Sequence, residues 1–99
     1  MMVQAIENWT DLSGTLRDVR PREGSPGMTD VLIAVEEARD VGDFPNLLTG
    51  TPGQELAVAI ETEAVPRLRL RPGDAIVCRA QRASPQTVVA HPDGLSHRP

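Results

Sequence analysis

Aromatic residues are nearly missing from this chain: 99 residues include one Phe, one Trp and no Tyr. A core without rings has to be built from Val, Leu, Ile and Ala, and β-branched aliphatic side chains pack well on pleated sheets. Lysine is missing too, so all 10 basic residues are arginine; with Ala, Pro and Gly plentiful, this uniformity reads as composition bias and carries no site information. The one cysteine, Cys78, excludes an intramolecular disulfide, and no Cys/His spacing suits zinc. A reducing compartment, no cofactor and no metal are the expectation. No stretch approaches the roughly 20 apolar residues that span a bilayer, and the start, MMVQAIENWTDLSG, has neither the basic residues nor the apolar run of a secretory signal. A cytoplasmic protein away from membranes follows. A net charge of -4 gives polyanions no long-range attraction unless the arginines gather on one face.

What the chain does have is alternation. From Asp11 to Val19, Leu12, Gly14 and Leu16 fall on one side of an extended segment and Ser13, Thr15 and Arg17 on the other. A glycine inside a strand marks a bulge or bend, and Gly14 is placed where a first strand would curl between two faces. RPREGSPGMT, with two prolines and two glycines, is read as the loop between hairpin partners. A second strand, Asp30 to Ala38, turns Val31, Ile33 and Val35 one way and Leu32 and Ala34 the other. Glu55 to Glu61 is a third, with Leu56, Val58 and Ile60 inward and alanines opposite. Thr62 is set to cap one helical turn, which Pro66 keeps short. Pro72-Gly73 starts strand four, Asp74 to Arg82, with Ile76, Cys78 and Ala80 on one side; Gln86 to His91 supplies strand five. The prediction is an all-β, five-stranded Greek-key OB-like barrel over residues 1-92, with a short helical turn between strands 3 and 4 and a flexible tail over 93-99.

The segments LSGTL at 12–16 and ELAVAIETEAVPRLRLRPGDAIVCRAQRAS at 55–84 resemble the small OB-type domains called TOBE or Mop. The resemblance rests on the strand-borne Gly14 after Leu12-Ser13, on Ala57 or Ala59 with Ile60 and Val65, and on Leu70, Gly73, Asp74 and Val77 leading into a strand. It implies an OB-type barrel and a binding role, in some members for molybdate or tungstate. The oxyanion-binding segment before the first strand is replaced here by Glu7, Asn8, Trp9 and Thr10, of which only Asn8 could stand in. Glu61 and Glu63 at the end of the third strand would repel an anion.

Three features stand out as contact sites. The first is the long irregular stretch 39–53, which holds Phe44, Leu47 and Leu48 among glycines, prolines and acids; it either tucks these residues under the fold or presents them to a partner. The second is Arg67, Arg69 and Arg71, interleaved with Leu68 and Leu70. If that segment is extended, three guanidinium groups share a side, and Arg79 or Arg82 could join them to hold phosphate or carboxylate. Trp9 is the third, a core lid or a base-stacking platform. Strands two and three carry no aromatic residue and bear Glu36, Glu37, Glu55 and Glu61, so the usual single-strand-binding surface is missing. Nothing suggests catalysis: His91 and His97 lie near the end, Cys78 should be buried, and no nucleophile has a recognisably spaced base. The resulting expectation is a non-catalytic binding or adaptor domain that contacts a protein partner, or a second copy of itself, through the 39–53 loop. Single-stranded nucleic-acid binding and Mop-like molybdate binding are the alternatives.

Overall fold

The structure is a computed structural model that describes residues 6–99. Five strands carry nearly all of its regular secondary structure: β1 (Thr10–Pro21), β2 (Met28–Asp40), β3 (Glu55–Glu61), β4 (Ala75–Ser84) and β5 (Thr87–His97), with one helical turn, α1 (Ala64–Arg67), between β3 and β4. They form a single sheet in the order β1-β2-β3-β5-β4, and β4 pairs back onto β1, so the sheet closes into a ring. Every pairing is antiparallel except that of β3 with β5, which meet at Ala59↔Val89.

The ring follows from the alternation. Leu12, Leu16, Val31, Ile33, Val35, Val58, Ile60, Ile76, Cys78 and Ala80 turn inward and are buried, as their spacing predicts, and Val88, Leu48 and Leu70 complete the core. Strand β1 pairs with β2 along its whole length and with β4 over Thr10–Thr15, so its register changes have to serve two neighbours. One change falls between Ser13 and Gly14, where Ser13 faces Glu37 and Gly14 faces Val35, leaving Glu36 without an opposite residue. A Cβ built on Gly14 would lie 2.1 Å from the Ala34 carbonyl oxygen. Gly14 is therefore the bend expected of it: absence of a side chain lets β2 cross closely over β1.

The strands outrun their sequence limits. Strand β1 reaches Pro21 and β2 starts at Met28, so the proposed loop shrinks to residues 22–27, closed by Arg22 N–H to the Met28 carbonyl at 3.2 Å. The largest correction is at the other end. Residues 93–99, expected as a tail, belong to β5 through His97: Leu95, Ser96 and His97 pair with Cys78, Val77 and Ile76, and Leu95 is buried. The Arg98 N–H extends this pairing to the Ala75 carbonyl at 2.8 Å. The fifth strand looked finished at His91 because Pro92-Asp93-Gly94 has turn chemistry. Its register jumps instead, with Ala80 opposite Ala90 and Cys78 opposite Leu95, so residues 91–94 loop out opposite Arg79 and the ladder resumes. Gly94 is close-packed there, since a Cβ would approach Arg79 Cβ to 2.9 Å.

Ala59, assigned to the outward row of β3, is nonetheless buried. Arg22 explains it: its guanidinium donates to Asp30 on β2 at 2.8 Å and to the Thr87 hydroxyl at the start of β5 at 3.5 Å. Asp30 is the register partner of Ala59, and β3 lies between β2 and β5, so the arginine arches over the small alanine. At about a quarter exposed on each side, Arg22–Asp30 is the best shielded of the ion pairs among the described residues.

Candidate functional site

The 39–53 loop is built from below. Asn46 is its hub: the side-chain oxygen accepts from the Thr10 hydroxyl at 2.7 Å and from the Leu48 N–H at 3.0 Å, while its amide donates to the Ala38 carbonyl at 3.2 Å and to Asp40 at 3.0 Å. Leu48 is 1% exposed and caps the end of the core. Past it, the Thr51 hydroxyl donates to the Leu48 carbonyl at 2.7 Å, the Gly53 N–H donates to the Val35 carbonyl of β2 at 2.9 Å, and the Val35 N–H donates to the Gln54 carbonyl at 2.9 Å. Leu48, proposed as a contact residue, is therefore an anchor. Phe44 and Leu47, at 41% and 44% exposed, project outward from the frame it fixes. With Ile6 they are the exposed large hydrophobic residues among those described. Trp9 borders the loop, its backbone N–H donating to the Pro45 carbonyl at 3.2 Å.

The arginine reading requires correction. Residues 67–71 are not extended. Leu70 N–H bonds to the Val65 carbonyl at 3.0 Å and Arg69 N–H to the Pro66 carbonyl at 3.2 Å, the pair of bonds that defines a Schellman ending. Arg69 occupies the left-handed position, with φ at 52°, where glycine is usual. Burial of Leu70 against the core holds this geometry against the alternation of Leu and Arg. Arg67 pairs with Glu63 one turn away at 3.0 Å, and Arg71 lies in the Pro72-Gly73 turn, its N–H held by Asp74 at 2.8 Å. Gly73 has φ at 99°, as the third residue of a type II turn requires. Arg79 is committed to Asp11 through two bonds at 2.9 and 3.1 Å, and Arg82 donates to the Pro85 carbonyl at 2.9 Å. The carboxylates of Glu63 and Asp11 raise the pKa of the guanidinium groups they hold, Arg67 and Arg79. The expected cap by Thr62 also fails: the N-cap of α1 is Glu63, without a side-chain bond, and Thr62 shares a hydrogen bond with the Thr29 hydroxyl at 2.9 Å.

Trp9 lies half-buried, its ring edge-on to His91 with centroids 5.5 Å apart at 61°. Asn8, the stand-in for an oxyanion ligand, is buried and already satisfied: its amide donates to Ile6 and Arg82 carbonyls at 2.9 and 3.1 Å, and its oxygen accepts the Arg82 N–H at 2.8 Å. It pins the entry of β1 to β4.

A cleft outside these candidates was not foreseen. A cleft of about 690 Å³ opens on the outer face of β1, β2 and β4 at the β5 bulge. Arg39, Asp11 and Arg79 form a row across three neighbouring strands by register. Arg98 reaches Glu36 at 2.6 Å, and Arg39 pairs with its neighbour Glu37. Each arginine of the cleft has a carboxylate partner, and among the described residues no hydrogen bond joins Ser13 to His91, whose Nδ1 accepts the Asp93 N–H at 3.1 Å. No local pattern in the sequence marks this row; it follows from the strand register, which shifts at Glu36 of β2 and at Arg17 of β1. Among the described residues, no group of three or more His, Cys, Asp or Glu side chains could hold a metal ion, and no helix is long and apolar enough to cross a membrane. Burial pushes the Cys78 thiol up to about 12, where the thiolate that nucleophilic chemistry needs does not form at neutral pH. No family model matches the chain, and no curated protein matches it either.

Proposed function

We propose that this chain is a non-catalytic binding domain of the OB type, which contacts a protein partner or a second copy of itself through Phe44 and Leu47. The strand order β1-β2-β3-β5-β4, with a helical turn between β3 and β4, supports the OB reading. The observation that carries the function is the framing of the 39–53 loop: Leu48 and Asn46 fix its backbone while two large apolar side chains face solvent. A loop ordered before binding loses less entropy on contact, and exposing apolar side chains on a rigid frame serves recognition better than stability.

The alternatives draw less support. The outer face of β2 and β3 offers Leu32, Ala34, Ala57 and acids, with no ring on which a base would stack. Molybdate binding loses its one candidate ligand in Asn8, whose polar atoms are all engaged.

The test is photocrosslinking from position 44 or 47, with the same probe at Glu23 in the 22–27 loop as a control. Purified protein tests self-association, and extract of the source cell tests other partners. Discrete adducts from 44 and 47, but not from 23, are expected. Equal adduct patterns from all three positions would reject the loop as the contact surface.

A further inference from the structure

Strands β3 and β5 are the only parallel neighbours in the ring, and they meet at a single register pair, Ala59↔Val89. On either side of it they diverge, and the gap beside α1 forms a second, smaller slot of about 200 Å³. Its floor is core: Ile60, Ala64, Ala90 and Leu95 line it with aliphatic carbon. Its rim carries the edge-to-face pair of Trp9 and His91, together with Glu61 and Glu63. Among the described residues, these two glutamates are the acids and bases of formal charge that line the slot. β3 ends at Glu61, and the turn into α1 brings Glu63 round to the same opening.

We propose that this slot is a binding site for a small organic cation with an apolar body, an aryl- or alkylammonium. This goes beyond the reading of the 39–53 loop, from which the slot is separate. Size is sufficient, since apolar cavities of about 150 Å³ in other proteins accept a benzene ring. Charge selects the sign. The larger cleft on β1 and β4 balances each arginine with an acid, whereas the slot presents two carboxylates, and Glu61 takes part in none of the ion pairs among the described residues. Glu63 is held by Arg67 through two bonds at 3.0 and 3.2 Å, so Glu61 is the carboxylate left for the ligand. The face of Trp9 adds cation–π attraction at the rim. The ligand's ring or chain would replace the missing packing between β3 and β5, and its ammonium would sit between Glu61 and the indole.

Trp9 reports on the site directly, because the chain has no other tryptophan and no tyrosine. Full-length protein is titrated at low ionic strength with benzylammonium, with benzyl alcohol and benzoate as neutral and anionic counterparts of the same shape; Trp9 fluorescence and melting temperature are both read. Benzylammonium should saturate with a Kd near 1 mM, as expected for about eight heavy atoms in a small site. Benzyl alcohol should bind roughly fivefold more weakly or worse, and benzoate not at all, with fluorescence and thermal shift agreeing. Glu61→Gln should lose roughly fivefold for benzylammonium, while Glu55→Gln at the far end of β3 should change nothing. Equal binding of benzyl alcohol, an unchanged Glu61→Gln, or no saturation by about 20 mM would each overturn the proposal. Ala64→Val, which narrows the floor without altering charge, should abolish binding; retention of full affinity in a folded variant overturns the placement in the slot.

Discussion

Replacing Gly14 by alanine tests the ring at its tightest crossing. The added Cβ would meet the Ala34 carbonyl oxygen at 2.1 Å, against the 3.0 Å below which such contacts essentially never occur. Strands β1 and β2 would have to part locally by roughly 0.9 Å, far more than packed interiors yield without loss. Gly14 cannot retreat, because its other side is paired with Ile76 of β4. Overpacking of this kind costs about 1–3 kcal/mol, and parting the strands weakens about two ladder bonds worth about 0.5–1.5 kcal/mol each. The sum, about 2–6 kcal/mol, is a large share of the 5–15 kcal/mol typical of a whole domain. Relief from the less flexible unfolded chain returns at most about 1 kcal/mol. The net loss is then at least about 1 kcal/mol, and at about 4–8 °C per kcal/mol for a domain of this size Gly14→Ala should melt at least about 4 °C below the parent by circular dichroism. Gly50→Ala, with no atom within 4 Å of the new Cβ and an ordinary φ, should stay within about 0.5 kcal/mol. A Gly14→Ala protein melting within about 3 °C of the parent would refute the close-crossing argument.

The absence of lysine and tyrosine isolates Cys78 in alkaline titration: between about pH 9 and 12 the thiol is the side chain whose ionisation separates folded from unfolded chain. Its folded value is raised from 9.0 to about 12, so its contribution is complete below about pH 9 and is lost as pH climbs toward 12. The unfolding free energy from urea denaturation should fall by about 1.4 kcal/mol per pH unit above 9 in the parent but not in Cys78→Ala; parallel curves would contradict the burial. Arg69→Gly should raise stability by about 0.5–1 kcal/mol in urea denaturation, because the left-handed position penalises a side chain; a loss of that size would deny the Schellman ending. Leu48→Ala should cost about 2–5 kcal/mol and open the 39–53 loop to limited proteolysis, while Leu47→Ala should leave stability within about 0.5 kcal/mol. Equal effects at 47 and 48 would remove the distinction between anchor and contact residue.

The sequence by itself determined the sheet. Aliphatic residues at every second position dictate which side of β1, β2, β3 and β4 is buried, whatever the partner, because side chains alternate across a strand. Gly14 was legible for the same reason, a residue without a side chain amid a periodic row. The candidate site was less so. Register, bulges and ring closure depend on contacts between residues distant in the chain, and these place Asp11 between Arg39 and Arg79, lay Arg22 over Ala59, and pair 95–97 with β4 beyond a segment that looks like a turn. Alternation misled at Arg67–Arg71, where burying Leu70 outweighs the local preference for extension. The slot beneath Trp9 lies where parallel β3 and β5 share a single ladder pair, and no local pattern encodes how two strands part.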